Sequence, residues 1–131
     1  MDKIRELLEK NIVRIECEIS KPNIFIPYAT SNAGTSYGSG FFISETHILT
    51  NHHVIERASK ITVTLSDGTE YTASVIGSDK KTDLAVLKID NTAKPFTYID
   101  LGNSDDLYVG EWAIAIGNPF GLAGTVTVGI I

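Results

Sequence analysis

Residues 38–55 read GSGFFISETHILTNHHVI, and this stretch decides the fold class. Two short apolar segments, GSGFFIS and THILTN, flank a polar turn around Ser44 and Glu45, a pattern typical of two strands joined by a tight connection. The second segment runs directly into His53, which opens the next turn. A histidine at the end of a strand can face a cleft, so the stretch carries both a fold signal and a candidate functional residue.

The chain on both sides repeats this alternation of short strands and turns. From Ile12 onward apolar and charged residues alternate, so that Ile15 and Cys17 share one face of a first strand. The segments ITVTL and EYTASVIG flank a turn in which Gly68 can take a positive φ, which predicts a hairpin. LAVLKI, a continuous apolar strand, is followed by EWAIAIG and TVTVGII. This spacing predicts an all-β barrel or sandwich.

Three segments depart from that pattern. Residues 2–9 carry apolar side chains at helical spacing, which predicts a short N-terminal helix. Residues 20–37 hold two prolines and many small polar residues, which predicts a long loop, either functional or a plain surface connection. The last strand, residues 125–131, stops within an apolar run, which suggests that the sequence is part of a longer protein.

Composition limits the function classes. The chain has 131 residues, 43% of them hydrophobic, enough for one domain with a real core. Its net charge is −5 and no stretch is basic, which disfavours nucleic acid as a partner. No apolar run approaches the roughly 20 residues of a membrane segment. The first residues lack the apolar region of a secretion signal, so the chain is cytoplasmic or a leader precedes Met1.

The three histidines lie within seven positions of one another, which raises the question of a metal site. Adjacent His52 and His53 would point in different directions, and no nearby Cys or acid completes a set with His47, so we expect no metal. Taken alone, His53 is an ordinary surface or packed histidine, and Asp83 is an ordinary turn acid before a buried strand. The two become informative only as a pair.

A family resemblance supplies that pairing. Residues 38–55 resemble the Gly-Ser-Gly strand and the Leu-Thr-Asn-x-His-Val motif of the HtrA (DegP-like) branch of the chymotrypsin-fold serine proteases. The segments SDGTEYTASVIGSDKKTDLAVLKID and LGNSDDLYVGEWAIAIGNPFGLAGTVTVGII resemble two further motifs of that family, in the same order. The resemblance covers roughly residues 12–131 and is weakest over residues 20–37.

The helical spacing at the N-terminus and the resemblance together imply an organisation in three parts. Residues 1–11 would form the helical segment, and residues 12–116 a six-stranded antiparallel β-barrel, the first barrel of a chymotrypsin-like domain. Residues 117–131 would hold the inter-barrel crossover, at residues 117–121, and the first strand of a second barrel. Without its partner, the first barrel would expose an apolar face and an unpaired strand at residues 125–131, a surface that invites dimerisation or strand exchange.

The resemblance also implies a function. Family members are serine endopeptidases that act on unfolded or damaged proteins in protein quality control, without a metal or organic cofactor. By position, His53 is the general base, Asp83 is the acid that orients it, and His52 fills a variable slot. The nucleophile should lie in a Gly-x-Ser-Gly-Gly turn beyond Asp83, but the only later serine is Ser104, in a polar turn. We therefore expect no nucleophile in this chain, and no peptidase activity from it alone.

Two matters stay open at this point. The alternative function is a non-catalytic protein-binding or assembly module on a protease-like barrel, although such a module has no chemical reason to keep both His53 and Asp83. By resemblance the protein would be periplasmic or otherwise extracytoplasmic, and would form a homo-oligomer, a trimer in many family members. If the Met1 start is native, it would be cytoplasmic instead.

Overall fold

The computed structural model describes residues 3, 4, 6, 10–22, 30–90, 96–117 and 125–131, with backbone only at residues 20–22 and 30–33. Within them the strands are β1 (Ile12–Pro22), β2 (Thr30–Phe42), β3 (His47–Thr50), β4 (Lys60–Thr64), β5 (Glu70–Asp79), β6 (Leu84–Ile89), β7 (Trp112–Gly117) and β8 (Thr125–Ile130). One short helix, α1 (His52–Ile55), follows β3. Of the segment predicted as an N-terminal helix, Lys3, Ile4 and Glu6 are helical and the other residues lie outside the described part.

Six of the strands close into an antiparallel barrel in the order β1-β2-β3-β6-β5-β4, with β4 pairing back to β1. The barrel core consists of alternate residues from these strands, together with two residues of α1: Val13, Ile15, Cys17, Phe42, Ile48, Val54, Ile55, Ile61, Val63, Ala73, Ala85, Leu87 and Ile89. Successive side chains of a strand point to opposite faces, so one face fills the barrel. The predicted all-β class and six-stranded barrel are confirmed.

The local predictions for single strands are confirmed with one correction. Ile15 and Cys17 are fully buried on one face of β1, and Gly68 takes a φ of +89° in the turn between β4 and β5. The strand β6 is not buried along its whole length, because Leu84 is 45% exposed while Ala85 and Leu87 face the core. A barrel wall has one outer face, so even an apolar strand exposes every second residue.

The prediction of a loop over residues 20–37 is wrong for most of that range. β1 continues to Pro22 and pairs with β2 from Thr30 onward, with a register shift between Ile19 and Ser20. The prolines and small polar residues suggested a loop. The pairing leaves no pattern in the sequence, because a two-stranded ribbon is held by backbone hydrogen bonds and does not require alternating apolar residues. Residues 23–29, which connect the two strands in the sequence, lie outside the described part.

β7 and β8 form a separate two-stranded antiparallel sheet. The expectation that residues 125–131 would be unpaired is therefore wrong, since β8 pairs with β7 over its whole length. The domain boundaries at residues 11 and 116 stay a prediction. The crossover predicted at residues 117–121 lies, after Gly117, outside the described residues. No helix among the described residues is long and apolar enough to cross a membrane.

Candidate active site

α1 holds His53 at the end of β3. Asn51 is extended, with φ −91° and ψ 145°, and starts the helix as its N-cap. Val54 and Ile55 are buried and anchor the single turn to the barrel, and the Ser36 hydroxyl donates a hydrogen bond to the Val54 carbonyl at 3.0 Å. Because its neighbours in the helix are fixed, His53 projects outward from a rigid support.

Gly38 lets β2 pass close to this helix. A Cβ atom at Gly38 would lie 2.6 Å from Cγ2 of Val54, a distance that real side chains do not tolerate. Local packing therefore requires a glycine at position 38, the first of the Gly-Ser-Gly stretch. Any side chain there would displace Val54, and with it the helix that carries His53.

Asp83 ends the tight turn between β5 and β6. Its φ of +57° is left-handed, a conformation that Asp tolerates better than most residues. The Asp79 carboxylate supports the turn from inside by accepting hydrogen bonds from the Lys81 backbone N–H at 3.2 Å and from the Thr82 hydroxyl at 3.0 Å. The turn thus directs the Asp83 carboxylate back toward α1.

The two residues meet through a two-point contact. His53 Nδ1 lies 2.6 Å from Asp83 Oδ2, and the His53 backbone N–H donates to Asp83 Oδ1 at 2.8 Å. The His53 and Asp83 side chains are 67% and 41% exposed, so the pair can be reached from solvent. Each carboxylate oxygen has its own donor on the same residue, which fixes the plane of the carboxylate against the imidazole.

These contacts favour the ionised form of Asp83 and determine which His53 nitrogen carries the ring proton. The His53 backbone N–H, followed by its imidazole, holds the pKa of Asp83 below the usual range for an aspartate. An ionised carboxylate only accepts hydrogen bonds, so the proton between the two side chains belongs to Nδ1. Nε2 is then the nitrogen that can take up a proton, which is the arrangement a general base requires.

Two donors hold the Asp83 main chain as well. The Asp83 carbonyl accepts hydrogen bonds from the His52 N–H at 3.1 Å and from Asn51 Nδ2 at 3.0 Å. No function was predicted for Asn51 from its sequence context. The available signal was an Asn two residues before the predicted turn at His53, because Asn is a favoured capping residue at the start of a helix. The ring of His52 is half-buried, and its Nδ1 has no hydrogen-bond partner among the described residues.

The remaining candidates lie elsewhere. Ser104 starts an exposed 3-10 turn, Ser104–Asp106, whose N-cap Asn103 accepts a hydrogen bond from the Asp105 N–H. His47 begins β3 and is hydrogen-bonded through Nδ1 to the Ser44 hydroxyl at 2.8 Å. In the part of the chain that the structure describes, no three His, Cys, Asp or Glu side chains are grouped as metal ligands.

An open cavity of about 210 Å³ lies between the barrel and β7, and neither His53 nor Asp83 is among the residues that line it. Leu49, Leu84 and Ile116 give it apolar walls, and Thr50 and Asn51 border it on the side of α1. Two of its lining residues are neighbours of the pair in the sequence, since Leu84 directly follows Asp83 and Asn51 lies two residues before His53.

Comparison with protein families and with known proteins shows which family the chain is similar to. Residues 38–131 match the family model described as trypsin-like peptidase domain. The protein named "Probable periplasmic serine endoprotease DegP-like" from Chlamydia trachomatis is 60% identical over 95 residues, which are 72% of this chain and 19% of that protein. A protein of the same name from Bartonella henselae is 55% identical over 97 residues, which are 73% of this chain and 19% of that protein. The chain thus spans about a fifth of the length of these relatives.

The solved structures extend the likeness to the fold. The HtrA-type protease AlgW, solved with a tripeptide, superimposes with a TM-score of 0.79 at 37% sequence identity. The match covers 99% of this chain and 38% of AlgW. The barrel, the order of its strands and the sequence similarity point to the same group, and the chain therefore belongs to the trypsin-like peptidase domain family, in its HtrA/DegP-like branch.

Proposed function

We propose that this chain supplies the general-base half of a serine endopeptidase. His53 would take the proton of a serine hydroxyl at Nε2 and later deliver it to the leaving amine. Asp83 would keep the proton on Nδ1 and stabilise the imidazolium that forms. The observation that carries this proposal is the two-point contact of His53 with Asp83, at 2.6 Å and 2.8 Å, on an exposed helix turn.

The nucleophile and the oxyanion hole would come from a part of the enzyme outside these 131 residues. Ser104, the only serine after Asp83, takes part in its own exposed turn. An oxyanion hole needs backbone N–H groups aimed at the developing charge, and these belong with the nucleophile. The 131 residues alone should therefore not hydrolyse peptide bonds.

Unfolded proteins or peptides are the proposed substrates. The relatives are named endoproteases, and AlgW was solved with a tripeptide. The open cavity with apolar walls at Leu49, Leu84 and Ile116 supports the same class, because an extended chain offers side chains to such a recess.

A chimera tests this proposal. Residues 12–131 would replace the matching segment of AlgW, and hydrolysis of a fluorescently labelled unfolded protein would be measured. We expect activity in the chimera, and a loss of at least about 10⁴-fold with His53→Ala. The 131-residue chain alone is the second control and should be inactive.

A folded chimera that is inactive, or one that keeps its activity with His53→Ala, would contradict the proposal. It would favour the alternative, a protein-binding module on the same barrel.

A further inference from the structure

The start of α1 shows an unusual exchange of hydrogen-bond partners. An N-cap Asn ordinarily accepts a hydrogen bond from a backbone N–H two or three residues later in its own helix. The Asn51 side chain makes no such bond. The N–H two residues on, that of His53, is instead capped at 2.8 Å by the Asp83 carboxylate, 30 residues away.

Asn51 in turn forms a hydrogen bond with Asp83, the residue that caps the His53 N–H in its place. Its Nδ2 donates to the Asp83 carbonyl at 3.0 Å, and the His52 N–H donates to the same oxygen at 3.1 Å. Asp83 is thus held at two groups. Its carbonyl accepts hydrogen bonds from Asn51 and His52, and its carboxylate is hydrogen-bonded to His53.

Asp83 needs this support for two reasons. Its φ of +57° is a left-handed conformation that a non-glycine residue keeps only when the surroundings favour it. Its side chain is 41% exposed, so water competes for the carboxylate oxygens. With the main chain released, the turn could relax and the carboxylate could rotate away from His53.

We propose that Asn51 is a positioning residue, which orients the Asp83 carboxylate toward His53 Nδ1 through its hydrogen bond to the Asp83 carbonyl. The catalytic meaning of this arrangement rests on the proposed function above. The geometric claim does not, because the His53–Asp83 hydrogen bond can be measured in the 131-residue chain without any peptidase activity.

Nuclear magnetic resonance of the 131-residue chain tests the claim. The readouts are the downfield proton of His53 Nδ1 and its exchange rate with water. We expect Asn51→Ala to raise that rate about fivefold, the factor for loss of one net hydrogen bond. Asn51→Asp should raise it at least as much, because its carboxylate cannot donate to the Asp83 carbonyl and can itself cap the His53 N–H.

Two further variants separate positioning from stability. Asn51→Gln keeps an amide donor and should bring the exchange rate back toward that of the unaltered chain. Asn103→Ala is the matched control, because Asn103 is also an exposed N-cap but lies in the 3-10 turn away from the site. Asp is itself a good N-cap residue, so Asn51→Asp keeps the helix start even if Asn51→Ala unfolds.

The proposal is overturned if Asn51→Asp shows the same His53 proton and exchange rate as Asn103→Ala. It is also overturned if Asn51→Gln exchanges as fast as Asn51→Asp. Neither result would bear on whether the complete enzyme is a peptidase, which the AlgW chimera decides separately.

Discussion

At the scale of single residues, Asp83 links the site to pH. The His53 backbone N–H and imidazole lower the pKa of Asp83 in the folded chain. A lowered pKa adds stability at every pH above the ordinary aspartate value of about 3.9, and this stability is lost as the pH falls through the folded-state value. The contact between Asp83 and His53 should therefore make the fold sensitive to acid.

The prediction concerns the free energy of unfolding, measured with urea between about pH 6 and pH 2. The unaltered chain should be more stable than Asp83→Asn above the ordinary aspartate pKa, and this advantage should shrink as the pH falls below it. Asp100→Asn removes one exposed carboxylate outside the site and controls for net charge. Parallel pH curves for the unaltered chain and Asp83→Asn would contradict the prediction.

The sequence could bring His53 and Asp83 together only through the family motifs, because 30 residues separate them and neither is unusual alone. The structure places the two side chains in contact, and their catalytic roles stay a prediction. The sequence offered a capping signal at Asn51 but not the partner that its side chain contacts. A capping Asn is expected to bond within its own helix, and its exchange of partners with Asp83 depends on the path of a distant turn.

At the scale of elements, the close packing of β2 depends on Gly40. A Cβ atom there would lie 2.7 Å from Cδ1 of Ile15 and 2.8 Å from Cγ2 of Ile48, both fully buried. Neither neighbour can move into solvent, so we expect Gly40→Ala to destabilise the fold by about 1–3 kcal/mol.

Gly77→Ala is the matched control for this prediction. Gly77 also lies in a barrel strand, but a Cβ atom there would meet nothing within 4 Å. Its effect should stay within about 0.5 kcal/mol, or be slightly stabilising because alanine restricts the unfolded chain. Urea unfolding of both variants gives the comparison, and equal losses of stability would show that the close contacts at Gly40 do not matter.

Element prediction succeeded where apolar alternation or turn chemistry marks a strand, as in β1 and the β4–β5 hairpin. It failed for residues 20–37, where backbone pairing forms a ribbon that carries no such pattern. The pairing of β7 with β8 was also missed, because two neighbouring apolar strands do not reveal whether they join the barrel or each other.

At the scale of the whole molecule, the β7–β8 sheet has two unlike faces. Its cross-strand pairs place the large apolar side chains on one face: Trp112, Ile114, Ile116, Val126, Val128 and Ile130. The other face carries small residues such as Ala115 and Thr127. Trp112 is 79% exposed and Ile130 68%, so most of this apolar face is open to solvent. Exposed apolar surfaces of this kind promote association.

We therefore expect the 131-residue chain to self-associate as its concentration rises, through the apolar face of the β7–β8 sheet. Val128→Lys places a charge in the middle of that face and should shift the chain toward monomer, because burying an ammonium group in an interface is costly. Thr127→Lys adds the same charge to the opposite face of the same strand and should leave association unchanged. Sedimentation velocity over a concentration series gives the association state of the unaltered chain and of both variants. If both variants dissociate equally, net charge and not the apolar face controls association. If the unaltered chain is a monomer at every concentration, the exposed apolar face does not promote association.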